Sequence, residues 1–260
     1  MRYFARIAYR GTNYCGWQRQ PQQPSVQETI EKALSTILRQ EIAITGCGRT
    51  DTGVHASEYY IHFDFEGDFP KGFLSRLNKY LPSDIVFYEM IPLDHPGHAR
   101  FDATNRSYAY YLGKHKDPFN TETVYHFPFM EQLDADLLNE AAKLLLNYES
   151  FFPFCKTKSD VKTMDCQLTV SHWEWNAAQE QWIYHISANR FLRGMVRLIV
   201  GMCLNVAMRK LRLEEVQKAL EEQSRLRKSW SVPPNGLFLT EIKYPFISAH
   251  KPSSELKIEN

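Results

Sequence analysis

The densest group of chemically capable residues lies in one short stretch, Gly46-Cys47-Gly48-Arg49-Thr50-Asp51-Thr52-Gly53-Val54-His55-Ala56. Three glycines within eight residues give a backbone freedom that a plain connection does not need. Arg49, Asp51 and His55 stand two and four positions apart among them. Two readings of Asp51 stay open at this level. It is either a turn residue bonding its own backbone or a carboxylate held ready for proton transfer or attack. Asp51-Thr52-Gly53 also spells the short signature of aspartic proteases, but those enzymes work with two such carboxylates. Here there is a single copy, preceded by polar residues, in a chain with extensive helical patterning.

Arginines form a second group. The spacing predicts a helix over 191–208, with Leu192, Met195, Val196, Ile199, Val200, Cys203 and Val206 on one broad face. Arg190, Arg193 and Arg197 fall at i, i+3 and i+7, so they are expected to form one stripe that Gly201 extends. A helix this apolar belongs in a core, and guanidinium groups on it need partners. Those partners are either structural carboxylates or a catalytic carboxylate with phosphates, since the planar fork takes both. A third group, His98-Ala99-Arg100-Phe101 through Arg106-Ser107-Tyr108-Ala109-Tyr110-Tyr111, interleaves cations with aromatic rings. Alternating Tyr on a strand is a packing pattern, which suits Tyr110. The same mixture also holds single-stranded or flipped bases.

Positioning such groups requires a frame, and its order can be read. Arg2–Arg10 alternates as a half-buried strand, and Ser25 caps a helix with Val26, Ile30, Ala33, Leu34, Ile37 and Leu38 on one face. Strands are expected at 41–45, 58–65 and 85–91, with a helix over 71–80 that stops before Leu81-Pro82. The order repeats: a Tyr-rich strand at 107–113, an Asp134-capped helix, a hairpin of 166–175 with 182–188, the long Arg helix, a short helix at 213–221 and a strand at 236–244. Two β-α-β-β-α-β units in tandem define an α+β chain of two ferredoxin-like halves with a mixed, mostly antiparallel sheet. The boundary is expected within 92–103, giving halves of 1–103 and 104–260 with the Asp loop in the first and the Tyr strand and Arg helix in the second. The tail after Pro245 has little to anchor it.

Composition narrows the class. With 260 residues, 43% hydrophobic and 23% charged, the chain can bury its own core, and disordered and collagen-like classes are excluded. No apolar run reaches the ~18 residues of a membrane span, and Met1-Arg2-Tyr3-Phe4-Ala5-Arg6 does not read as a signal peptide. Five cysteines without metal-ligand spacing are expected as thiols in a reducing cytoplasm. The net charge of +1 conceals an uneven distribution: residues 186–230 hold 10 basic and 4 acidic side chains, residues 131–189 hold 4 and 9. Such a basic segment is either a limited surface for a polyanion or a solvated face.

Taken together, these stretches resemble the TruA-type tRNA pseudouridine synthase family over nearly the whole chain. Tyr9-Arg10-Gly11-Thr12-Asn13-Tyr14-Cys15-Gly16-Trp17-Gln18 with Ser25-Val26-Gln27 resembles the family's opening motif, and Gly48–Ala56 its catalytic loop. His98-Ala99-Arg100-Phe101 with Tyr108, then Met195-Val196-Arg197 with Ile199-Val200-Gly201, and Gly236-Leu237-Phe238-Leu239 follow in order. Thr52 stands where the family usually has Ala, and Phe191–Gly194 and Trp230–Asn235 depart from the usual forms.

The resemblance implies a pseudouridine synthase fold with a central cleft and an isomerisation of uridine in the anticodon stem-loop of tRNA. It makes Asp51 the catalytic carboxylate, attacking the sugar or taking a sugar proton, after the base is flipped out. It places Tyr108 against the base, pairs Arg197 with Asp51, and gives Arg49 a part in flipping or RNA contact. Arg106, Arg190 and Arg193 become candidate RNA contacts. No metal or cofactor is expected, because no redox change or group transfer occurs. The implied partners are tRNA and a second copy of the chain in a homodimer, with no DNA or membrane. The rival classes are an RNA-binding module without catalysis and a hydrolase, which needs a second carboxylate to activate water.

Overall fold

The structure, a computed structural model, describes residues 1–156 and 163–247. Most of the tail expected to be poorly anchored therefore lies outside the described residues. The chain forms two compact units: Met1–Asn105 with the chain from Leu239 onward, and Arg106–Phe238.

The first unit opens with β1 (Arg2–Tyr9), α1 (Val26–Leu38), β2 (Thr45–Gly46), β3 (His55–Asp64), α2 (Phe73–Tyr80) and β4 (Ile85–Leu93). β1 is antiparallel to both neighbours, with Arg6 opposite Tyr60 on β3 and Glu89 on β4. Arg6 Nε donates to Glu89 Oε1 across that pair at 2.7 Å. Ser25 caps α1 as its sequence suggests, accepting from the Glu28 N–H at 3.3 Å.

The strand expected at 41–45 shrinks to Thr45–Gly46, paired with His62 and Ile61. Side chains of α1 take the backbone groups that a longer ladder would use. The Ile42 N–H donates to Ser35 Oγ at 2.9 Å, the Ile44 N–H to Glu31 Oε1 at 3.2 Å, and the Ile44 carbonyl accepts from Gln27. With those groups satisfied and both Ile side chains buried, no sheet partner is needed.

The second unit holds β5 (Asn105–Gly113), β6 (Tyr125–His126), α3 (Ala135–Leu144), β7 (Leu168–Asn176), β8 (Gln181–Ala188), α4 (Met195–Ala207) and α5 (Leu213–Glu221). β8 lies antiparallel between β5 and β7, while the short β6 runs parallel to β5. Asp134 caps α3 by accepting from the Asp136 and Leu137 N–H groups. Ser171, Trp173, Tyr184 and Ile186 are buried on one face of the hairpin. Ser171 Oγ donates to the Ala142 carbonyl of α3 at 2.7 Å. The final strand, β9 (Leu237–Lys243), lies beside β3, and its residues from Leu239 belong to the first unit. The α+β class and the mostly antiparallel pairing are those expected.

The Arg helix differs from its expectation. It begins at Met195, because Gly194 sits at φ 71, a left-handed conformation that cannot continue a right-handed helix. Every residue of α4 except Arg197 is buried, so the core assignment holds. The stripe does not: Arg190 and Arg193 precede the helix, and only Arg197 is carried on it. Periodicity carried the pattern four residues past the point where the backbone turns. Among the described residues no helix is long and apolar enough to cross a membrane.

Candidate active site

Asp51 is half-buried between two anchored neighbours. On one side Thr50 is pinned through both its chain and its hydroxyl: the Trp17 N–H donates to its carbonyl at 3.2 Å, and Tyr9 Oη lies 2.8 Å from its Oγ1. On the other side the Val54 N–H closes a tight turn onto the Asp51 carbonyl at 3.1 Å, and the Gly53 N–H donates to the Tyr14 carbonyl at 3.3 Å. Gly53 has φ 76, which a side chain would resist. The carboxylate thus projects from a backbone fixed on both flanks.

The segment Gly11–Trp17 supplies most of this anchoring. It is seated in turn on α1, whose first N–H groups have no helical partners. The Val26 N–H donates to the Gly16 carbonyl at 3.3 Å and the Gln27 N–H to the Trp17 carbonyl at 3.1 Å. Gly16 has φ 91, and a Cβ there would lie 2.4 Å from the Thr50 carbonyl oxygen. Beneath the loop, the Trp17 ring stacks on Tyr59 at 4.2 Å, and the Tyr59 hydroxyl donates to the Gly48 carbonyl at 2.5 Å. Burial raises the Tyr59 pKa well above its ordinary value, so the hydroxyl stays a donor.

His55 has a supporting place. It is fully buried, and its Nδ1 accepts from the Gly11 N–H at 3.0 Å. Arg49 is exposed on the same loop.

The segment 98–101 is held within the first unit as well. The Ala99 N–H donates to His62 Nδ1 at 3.0 Å, and the Tyr244 hydroxyl donates to the Ala99 carbonyl at 2.5 Å. Burial, with the Arg2 charge second, lowers the His62 pKa to about 4, so the ring is a neutral acceptor at neutral pH. Phe101 is 75% exposed and stacks on His98 at 4.2 Å, with the Arg100 guanidinium carbon 5.7 Å from its ring. A displayed ring backed by a cation suits contact with a base.

The second unit carries the remaining candidates. Tyr108 on β5 stands opposite Ile186 and meets Phe191 edge to face at 5.1 Å. Phe191 belongs to the departure Phe191–Gly194, so that segment supports the tyrosine ring. Arg106 Nη1 donates to the Asn189 carbonyl at 2.7 Å, beside Arg190 in sequence. Arg193 is exposed, and its carbonyl accepts from the Lys156 N–H at 3.3 Å. Arg197 Nε donates to the Val232 carbonyl at 2.6 Å. The basic segment is partly answered by acids: Arg209 pairs with Asp134 at 2.8 Å and Arg227 with Glu215 at 3.1 Å.

Sequence reading missed the anchoring roles of Tyr9, Gly16, Trp17 and Val232. Gly11, Gly16 and Trp17 were visible as part of one motif, but nothing in it named the loop as their partner.

The α+β class and mostly antiparallel sheet are consistent with a pseudouridine synthase fold. Residues 141–245 match the profile of a family described as tRNA pseudouridine synthase. The tRNA pseudouridine synthase A of Porphyromonas gingivalis is 45% identical over 247 residues, covering 94% of this chain and 97% of that protein. That of Bacteroides fragilis is 45% identical over 248 residues, 94% and 96% of the two chains. The tRNA pseudouridine synthase A 2 of Clostridium perfringens is 34% identical over 239 residues, 92% and 97%. The chain belongs to the tRNA pseudouridine synthase A family.

Proposed function

We propose that this protein isomerises uridine to pseudouridine in the anticodon stem-loop of tRNA, with Asp51 as the catalytic carboxylate. The reaction breaks the N1–C1′ bond and forms C5–C1′. The C5 proton leaves and N1 gains one, so atoms balance without an oxidant or a second substrate. The observation that carries the reading is the fixing of Thr50 and Gly53 on either side of Asp51. A group that acts on one sugar carbon must be held in place before the substrate arrives.

In this reading the N-terminal half, 1–103, carries the Asp loop, and the half 104–260 carries the tyrosine strand and the arginine helix. Asp51 acts on the sugar, by attack at C1′ or by removal of a sugar proton. Arg197 pairs with it and keeps it ionised, since an adjacent cation favours the charged carboxylate. Tyr108 packs on the flipped base, whose extrusion costs a few kcal/mol of lost stacking. Arg49 assists flipping, and Arg106, Arg190 and Arg193 contact RNA. The protein works in the cytoplasm as a homodimer.

Release of tritium from tRNA labelled at uracil C5 tests the reaction. Stoichiometric release with an unbroken RNA chain is expected. Binding without release would leave an RNA-binding module, and release of free uracil would make the protein a hydrolase.

A further inference from the structure

On the β7–β8 hairpin, His172 and His185 stand directly opposite each other in the antiparallel register, their rings stacked at 5.1 Å and 26°. Glu174, two residues beyond His172 and so on the same face, places Oε2 3.3 Å from His185 Nε2. One donor atom from each of the three side chains lies within 4.8 Å of the other two. Neither His172 nor Glu174 is committed to the core, since both are exposed. His185 Nε2 is buried without a hydrogen-bond partner among the described residues, and it lies 3.3 Å from Glu174 Oε2. A buried polar atom in that state calls for a water or an ion.

We propose that His172, Glu174 and His185 bind a divalent transition-metal ion of the zinc type. Two imidazoles and one carboxylate form a known donor set for tetrahedral zinc with an open fourth position. Bonds of ~2.0–2.2 Å place neighbouring donors of such a tetrahedron roughly 3.3–3.6 Å apart. The Glu174–His185 separation already matches, and the exposed ends of His172 and Glu174 have room to close the rest. Imidazole and carboxylate together favour zinc or copper over calcium and magnesium, which prefer oxygen donors.

The ion has a structural part rather than one in the isomerisation. Tyr108 stands opposite Ile186, on the face that also holds Tyr184, whereas His185 points to the other face of the strand. The same ion joins β7, the outermost strand of the second unit, to β8. Such a staple protects an edge strand from opening.

The test uses the full chain, freed of metal, titrated with Co²⁺ as a spectroscopic probe and then with Zn²⁺ in competition. One Co²⁺ per chain with the absorption of a tetrahedral nitrogen–oxygen site is expected, displaced by Zn²⁺. Loss of an outer-shell partner of a metal site already costs about 10–100-fold in affinity, so His172→Gln, Glu174→Gln and His185→Gln should each cost at least about 100-fold. Glu174 is exposed, so Glu174→Gln keeps the fold even if the His185 variant does not. Zn²⁺ should raise the melting temperature of the wild type and leave that of Glu174→Gln unchanged. Unaltered binding in the three variants, or a thiolate-to-cobalt charge-transfer band from the cysteines, would overturn the assignment.

Discussion

Arg197 and Val232 are tied in both directions: the guanidinium Nε donates to the Val232 carbonyl at 2.6 Å, and the Val232 N–H donates to the Arg197 carbonyl at 3.3 Å. The segment Trp230–Asn235 therefore runs along α4 as a splint. Gly201 lets it come close, since a Cβ there would lie 1.9 Å from the Trp230 carbonyl oxygen. Fixing Nε sets the plane of the guanidinium, and with it the directions of its two terminal nitrogens.

Arg197→Ala should lose about 1–3 kcal/mol of stability, because a part-buried carbonyl loses its donor. Turnover should fall with it. Arg197→Lys restores the charge without the planar fork, so it should recover stability better than activity. A double-mutant cycle with Asp51→Ala checks the proposed pairing: the stability cost of Arg197→Ala should shrink in that background. Additive costs would separate the two residues.

Asp51→Asn should abolish turnover while tRNA binding stays within a few-fold. The amide keeps the shape of the carboxylate and loses its charge, so the comparison isolates chemistry from recognition. Filter binding and tritium release on the same preparations decide it. Substantial turnover by the variant would place the catalytic carboxylate elsewhere.

Two glycines of the same region should behave in opposite ways. Gly16→Ala forces a side chain onto the Thr50 carbonyl at a positive φ, and should cost about 1–3 kcal/mol and dislodge the loop. A Cβ on Gly48 meets nothing within 4 Å, so Gly48→Ala should leave the urea midpoint unchanged. Equal midpoints for both variants would mean the loop is not seated on Gly16.

Tyr108→Phe should retain tRNA affinity, and Tyr108→Ala should lose ~1–3 kcal/mol of binding, the usual worth of one base–aromatic stack. Normal turnover by the Phe variant would limit the residue to packing and exclude a proton-transfer part for its hydroxyl.

His62 predicts a pH dependence of stability. Its folded pKa of about 4 lies below the unfolded value of 6.5. Between those values only the unfolded chain takes up the proton, so stability present above about pH 6.5 is lost as pH falls toward 4. Protonation also turns the Nδ1 acceptor of the Ala99 N–H into a donor, which should loosen the segment 98–101. Burial lowers the His185 pKa too, adding a loss in the same direction. The diagnostic reading is therefore the difference between wild type and His62→Gln in urea midpoints at about pH 7 and about pH 4.5, which should narrow at the lower pH.

Features set by neighbours in sequence were legible in advance. Ser25 and Asp134 announced their helices because a cap acts within three residues of itself. Leu213–Glu221 was readable in full for the same local reason. The start of α4 was not, because its apolar period runs smoothly through Phe191–Gly194 and only the left-handed Gly194 interrupts it. Nor was the shortness of β2, which depends on Glu31 and Ser35 reaching back from α1. Asp51 stood out by composition, whereas Val232 acts through a backbone carbonyl and leaves no signature in the sequence.

The placement of the last strand bears on the order in which this protein can be made. β9 lies beside β3, the Ile242 N–H donates to Glu58, and the Tyr244 hydroxyl reaches the Ala99 carbonyl, all within the first unit. A ribosome delivers residues 1–105 long before residue 239, so the first unit emerges with the flank of β3 opposite β1 covered only by the two-residue β2. The intervening 133 residues of the second unit are a contiguous stretch able to fold first. Synthesis thus runs from the amino end while completion runs the other way, and the earliest residues out of the tunnel are among the last to be sealed.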